Sequence, residues 1–343
     1  MAETSTAARI AALRKRHGAR LLILGHFYER ASILSQSDII GDSYRLSVEA
    51  ARSTAEAVVF CGVRFMAESA RILCKENQRV LIPDHEAGCP LADMITPGHF
   101  LASFGRISSL PGEPPVPLVY VNSSAELKSL AGQREGICCT SSNAALISRS
   151  LLREGRRIFF LPDRNLGRNV AEELGLSETE TTIVSAASAA NAEARMYIWN
   201  GFCPVHERFT LEDVRRARQR FPRCRILVHP ETPPEVVRQV DGTGSTSQLF
   251  EAFKGAPSGS VLVIGTEIEF VTRLAALREE ITVVPLAVSR CRDMAKITEE
   301  KLLRTLQSLE EPQPAAEVLM NPELAAGARK ALQRMIERVE GAA

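Results

Sequence analysis

The sequence predicts an α/β protein built of three related αβα sandwiches with parallel sheets, arranged around a pseudo-threefold axis. Three observations carry this reading. At 343 residues the chain exceeds the roughly 250–300 residues that one hydrophobic core supports. Short β-branched or aromatic runs alternate with longer helical patterns, the signature of parallel strands joined by crossover helices. The strand candidates also fall into three groups whose members end in similar residues in the same order.

In chain order, the first group comprises residues 21–24, 39–40, 58–61 and 80–82, with a helix over 65–75. The second comprises 117–121, 137–139, 158–161 and 196–199, and the third 225–228, 237–240, 261–264 and 282–284. Residues 111–117, rich in proline and glycine, separate the first two groups, and a charged helix beginning within 208–218 precedes the third. Asn321 followed by Pro322 reads as the cap and first position of an amphipathic helix that ends near Gly341. The expected units are 1–97, 98–206 and 207–343, contributing Cys89, Cys203 and Cys291 respectively.

Composition narrows the function. Hydrophobic residues make up 45% and charged residues 24%, and 42 basic against 41 acidic residues leave a formal charge of +1. That balance favours neither a nucleic acid nor an anionic membrane as partner. Residues 1–18 hold no apolar core of signal-peptide length, and no apolar run approaches the roughly 18 residues needed to span a bilayer. The reading is a cytoplasmic protein. Its eight cysteines then sit in a reducing compartment, where metal binding or burial is favoured over disulfides.

The resemblance among the groups lies in their ends. The first strands end in His26 and Tyr28, in Tyr120 and Asn122, and in His229 and Glu231. The second strands end in Ser43, Ser141 and Thr246, and a cysteine follows each last strand: Cys89, Cys203 and Cys291. Strand ends in α/β proteins are commonly polar. Ligands nevertheless bind beyond the carboxyl ends of such strands, so three edges facing one axis would bring these groups to one pocket.

The chain has no Cys-x-x-Cys, which argues against zinc ribbons, thioredoxin-type sites and clustered ferredoxin spacing. Cys61, Cys138 and Cys139 lie in strands, Cys74 in the 65–75 helix, and Cys224 opens a strand; such cysteines usually fill cores. Cys89 and Cys203 lie between a glycine and a proline, and Cys291 lies between Arg290 and Arg292, a positive setting that would stabilise a thiolate. Loop position alone leaves ligation and burial both open for these three. If they bind metal, three sulfurs would make zinc a poor Lewis acid. A 4Fe-4S cluster on three cysteines instead leaves one iron open to a substrate oxygen and able to assist a dehydration. Gly62 to Glu68 follows a strand and opens a helix, so its amides could hold an anion. Asp163, Arg164 and Asn165 read as helix-capping residues rather than substrate contacts. His26 and His229, each taken alone, would be given structural roles.

Longer motifs carry a specific resemblance. Gly-His-Phe-Tyr begins at Gly25, Gly-Asp-Ser at Gly41, Phe-Cys-Gly-Val-Arg-Phe-Met-Ala-Glu at Phe60, and Pro-Asp-His-Glu-Ala-Gly-Cys-Pro-Leu-Ala-Asp-Met at Pro83. Tyr-Val-Asn follows at Tyr120, Cys-Thr-Ser-Ser-Asn at Cys139, Leu-Pro-Asp-Arg-Asn-Leu-Gly-Arg at Leu161, and Gly-Phe-Cys-Pro-Val-His-Glu-Arg-Phe at Gly201. His-Pro-Glu at His229, Gly-Ser-Thr-Ser at Gly244, Gly-Thr-Glu at Gly265 and Cys-Arg-Asp-Met at Cys291 complete the set. Over nearly its whole length the chain resembles the quinolinate synthases.

The resemblance implies three related αβα domains, with one cluster cysteine from each: Cys89, Cys203 and Cys291. It implies condensation of iminoaspartate with dihydroxyacetone phosphate to give quinolinate, phosphate and water on the de novo route to NAD. An L-aspartate oxidase or dehydrogenase would supply the iminoaspartate. Substrate contacts would fall to His26, Ser43, Tyr120, Asn122, Ser141, His229, Glu231 and Thr246, with Ser141 chosen over Ser142. Catalytic roles would fall to Glu231, His26, Tyr28 and His229. The chain departs from the family's common pattern at Gly25, where alanine is usual, at Glu29, where glutamine is usual, and at Thr232, where cysteine is frequent. The competing readings are another cluster-dependent hydro-lyase and an iron-sulfur sensor.

Overall fold

The computed structural model describes residues 5–187 and 191–341 and contains three parallel sheets. The first is built from β1 (Leu21–His26), β2 (Ile39–Gly41), β3 (Ala57–Cys61) and β4 (Arg79–Leu81), in the order β2-β1-β3-β4. The second uses β5 (Val116–Tyr120), β6 (Ile137–Cys139), β7 (Ile158–Leu161), β8 (Thr181–Val184) and β9 (Met196–Trp199), ordered β6-β5-β7-β9-β8. The third uses β10 (Arg225–Val228), β11 (Gly242–Thr243), β12 (Val261–Gly265) and β13 (Thr282–Pro285), ordered β11-β10-β12-β13.

All three sheets share one winding. The first strand lies between the second and the third, so the chain turns one way and then crosses back. That reversal opens a crevice beyond the carboxyl end of the first strand, the usual place for a ligand in an open α/β sheet. Strands β3, β5, β7 and β9 are buried along their whole length, as parallel strands covered on both faces must be.

The structure departs from the sequence reading in places. Residues 237–240 are not a strand. The helix Pro234–Val237 takes the first of them, and the second strand of the sheet is the two-residue β11. Pro233 and Pro234 fix the backbone for a helical turn, which outweighs the β preference of the valines. β8 was not expected; it is an outer-edge strand without clean alternation. The helix expected over 65–75 is Arg64–Leu73, with Cys74 as its cap and the Cys74 thiol 3.4 Å from the Ala50 carbonyl. The charged helix is Leu211–Arg220, opened by a reciprocal cap between Thr210 and Asp213.

Beyond β13 the chain returns to the first sheet, where Val318 donates to the Val80 carbonyl at 2.7 Å. The last helix, Pro322–Glu340, begins as expected with Asn321 accepting from the amides of Glu323 and Leu324. It crosses the helix Ala125–Gly132 on small residues. A Cβ at Gly132 would lie 2.0 Å from the Gly327 carbonyl oxygen, and one at Gly327 would lie 2.2 Å from Ser129 Oγ. Backbone cannot yield as a flexible side chain can. Gly132→Ala should therefore cost about 1–3 kcal/mol of stability, as overpacking commonly does, read as a lower urea midpoint at unchanged slope. An unchanged midpoint would show that the crossing is loose. Among the described residues, no helix is long and apolar enough to cross a membrane.

Candidate active site

The three sheet edges meet at one central cavity. His26 and Tyr28 reach it from the end of β1, Tyr120 and Asn122 from β5, and His229 and Glu231 from β10. Ser43, Ser141 and Thr246 reach it from the residues after β2, β6 and β11, and Cys89, Cys203 and Cys291 line the same space. Every residue singled out from the strand ends therefore borders one cavity. Ser141 faces it and lies 3.2 Å from His229 Nε2, whereas Ser142 is turned to Thr140 Oγ1 at 2.7 Å.

The two strand-end histidines share a local construction. His26 Nδ1 accepts from the Tyr28 amide at 3.2 Å, and His229 Nδ1 accepts from the Glu231 amide at 3.3 Å. An accepting Nδ1 places the proton of a neutral imidazole on Nε2. Burial pushes the pKa of both rings down to about 3, assisted at His229 by His206, so both are neutral donors at neutral pH. Among the described residues that line the cavity there is no lysine or arginine.

His206 is the residue that sequence reasoning missed, although it lies within a quoted motif three positions after Cys203. It is buried and stacks on His229 with ring centroids 4.4 Å apart. Its Nδ1 lies 2.6 Å from Glu231 Oε2, a close contact without hydrogen-bond alignment. Its Nε2 lies 2.9 Å from Thr266 Oγ1, which lies 2.8 Å from the Tyr28 hydroxyl; Thr246 in turn donates to that hydroxyl at 3.2 Å. The result is a continuous polar chain from Thr246 through Tyr28, Thr266 and His206 to Glu231. A lone histidine beside a proline and a valine gave no periodic or strand-end signal.

Burial would raise the Glu231 carboxyl. The neighbouring His229 and His206 rings and a hydrogen bond from Tyr120 outweigh it and hold the group below its ordinary value. We read the Glu231–His229 pair at neutral pH as a carboxylate beside a neutral imidazole. Burial first, then the Glu231 charge, drives Tyr28 upward, so it remains a phenol. Glu29 is buried with neither carboxylate oxygen hydrogen-bonded to a described residue, and burial pushes its pKa well up.

All three cavity cysteines are free thiols. Burial raises each; at Cys203 the Glu231 charge and the Cys89 and Cys291 thiols add to it, and at Cys89 the Cys291 thiol does. Cys291 rises to about 11, so the flanking arginines do not create the positive setting expected; Arg290 pairs with Glu269 at 3.0 Å. Backbone amides of Leu91 and Ala92 point at the Cys89 sulfur, and those of Asp293 and Met294 at the Cys291 sulfur. Three neighbouring thiols, two of them with amide donors, and no cationic side chain suit a cationic metal group that would hold them as thiolates. Ligand atoms of Cys203, His206 and Glu231 also lie within 4.8 Å of one another and form a second possible metal set.

The remaining motifs resolve as structure. Val63, Phe65 and Met66 border the cavity, but the Arg64 and Met66 amides are taken by the carbonyls of Ala87 and Val63, which weakens the anion cradle. Asp163 caps the helix Arg164–Glu173 through Oδ1 at 2.7 Å, and its Oδ2 accepts from the Cys203 amide at 3.1 Å.

Comparison with known proteins bears on what this cavity does. The family model described as "Quinolinate synthetase A protein" matches residues 8–337. The quinolinate synthase of Streptomyces coelicolor is 39% identical over 96% of this chain and 87% of its own. That of Corynebacterium glutamicum is 38% identical over 95% of this chain and 85% of its own. That of Halobacterium salinarum is 37% identical over 97% and 92%.

Proposed function

The chain belongs to the quinolinate synthase family, and on that premise we propose that it condenses iminoaspartate with dihydroxyacetone phosphate to give quinolinate, phosphate and water. The observation that carries the proposal is the convergence on one cavity of three free thiols, one carboxylate and a ring of neutral donors. The proposal extends to the units 1–97, 98–206 and 207–343, to de novo NAD synthesis in the cytoplasm, and to iminoaspartate supplied by an oxidase or dehydrogenase acting on L-aspartate.

Cys89, Cys203 and Cys291 would hold a 4Fe-4S cluster, whose open iron would supply Lewis acidity for the dehydration. The remaining chemistry falls to the side chains. Both substrates are anionic, yet the cavity offers neutral donors: Nε2–H of His26 and His229, the Asn122 amide, and the hydroxyls of Ser43, Ser141 and Thr246. Such donors orient carboxylate and phosphate oxygens without forming ion pairs that would slow release. We assign His229 and Ser141, already in contact, to a substrate carboxylate. Isomerisation and ring closure each move a proton. Glu231, ionised and buried, is the base, and Tyr28 together with His26 assists enolisation. The chain through Thr266 and His206 offers a path for a proton between Tyr28 and Glu231.

The test is direct. Protein purified anaerobically and loaded with iron and sulfide should form quinolinate only when both substrates are present. Iron-loaded protein that forms none would overturn the proposal; turnover of a hydroxy acid instead would favour a hydro-lyase.

A further inference from the structure

Asn165 and Asn169 lie within the helix Arg164–Glu173, one turn apart and on one face. Asparagine is a poor residue for a helix interior, because its side chain competes for nearby backbone groups. Neither serves the helix end, since Asp163 is the cap. Both instead reach across to the loop that follows β10. The Asn169 amide donates to the carbonyls of Pro230 at 2.7 Å and Thr232 at 2.8 Å. The Asn165 amide donates to the Glu231 carbonyl at 3.1 Å and to Glu207 Oε2 at 2.6 Å.

Three successive carbonyls, centred on Glu231, are thus held by two side chains of a helix that belongs to the second sheet. The same helix start holds the Cys203 amide through Asp163. Asn165 is buried, so a donor lost there would leave the Glu231 carbonyl short of a partner away from solvent. Neither asparagine lines the cavity.

We propose that Asn165 and Asn169 are positioning residues for Glu231, clamping the backbone of the His-Pro-Glu loop so that the carboxylate meets His206 and the substrate proton. The inference rests on the assignment of Glu231 as the proton carrier. Misplacement of a reacting group by about 1 Å can cost on the order of 100-fold in rate. Substrate donors on other elements keep their places, so binding should change little.

The test uses the full iron-loaded chain in two forms, the double variant Asn165→Ala/Asn169→Ala and the isosteric Asn169→Asp, which keeps the shape and removes the donor. Hydrogen exchange over residues 229–233 should be faster in both. In the double variant kcat should fall by about 100-fold with KM within a few-fold, and iron content should stay at the parent level. Unchanged exchange in either folded variant would overturn the clamp whatever the activity. Faster exchange with unchanged kcat would overturn the positioning role. Faster exchange in a chain whose parent forms no quinolinate would leave the clamp standing and remove the proposed reaction.

Discussion

Cys203→Ser, purified anaerobically and supplied with iron and sulfide, is expected to hold far less of both than the parent and to form no measurable quinolinate. Cys203 stands beside both Cys89 and Cys291, and Cys89 beside Cys291, so the three thiols form one group and the loss of Cys203 leaves only two. Its backbone is fixed by Asp163, which prevents the loop from bringing another donor into place. Serine is a poor ligand because its hydroxyl stays protonated at neutral pH. Cys89→Ser and Cys291→Ser should fail in the same way. That pattern separates a cluster from a single ion held by Cys203, His206 and Glu231, for which only the Cys203 variant would lose metal. Cys74→Ser and Cys224→Ser should keep the parent's iron. Cys74 is buried against the Ala50 carbonyl and Cys224 lies beside Arg218, and neither lines the cavity. Full iron in Cys203→Ser would sink the ligand assignment.

How far the sequence disclosed this site follows from which signals are local. Strand ends are local, and so His26, Tyr28, Tyr120, Asn122, His229 and Glu231 were legible from a run of β-formers stopping at a polar pair. Their convergence on one pocket is legible because the same ending occurs three times along the chain. The strand at Gly242–Thr243 is too short to leave a run, and the nearby valines pointed to the wrong residues. His206 was hidden because its importance lies in partners 25 and 60 residues away, Glu231 and Thr266. Lys128 is another case. A lysine in a helix ordinarily reads as solvent-facing, yet here it is fully buried, donating to the Ser123 carbonyl at 2.6 Å above the Phe65 ring. Asn165 was expected only to cap, and no property of an isolated helix indicates that it reaches another sheet's loop.

Glu231→Gln is expected to lower quinolinate formation by at least about 100-fold, the lower end of what a positioned acid or base contributes, while iron content and thermal stability stay close to the parent. The change is suited to the question because glutamine keeps the size of the side chain and can still accept from Asn122, whose amide lies 3.5 Å from Oε1. What it removes is the negative charge and the ability to exchange a proton at neutral pH. Loss of that charge removes its favourable contacts with His229, His206 and Tyr120 but also ends its repulsion with Asp163 and Cys203, both of which it pushes upward, so the two effects offset in the fold. A cap or packing residue would behave in the opposite way, losing stability with little effect on rate. KM should move little, since the neutral donors proposed to orient the substrates remain, and a fall confined to kcat is what loss of a transition-state interaction produces. Tyr28→Phe supplies the second arm because it cuts the polar chain at its far end without touching the carboxylate. If Glu231→Gln turns over within a few-fold of the parent while Tyr28→Phe is inactive, the proton carrier is the phenol, and the route through Thr266 and His206 ends there rather than at Glu231.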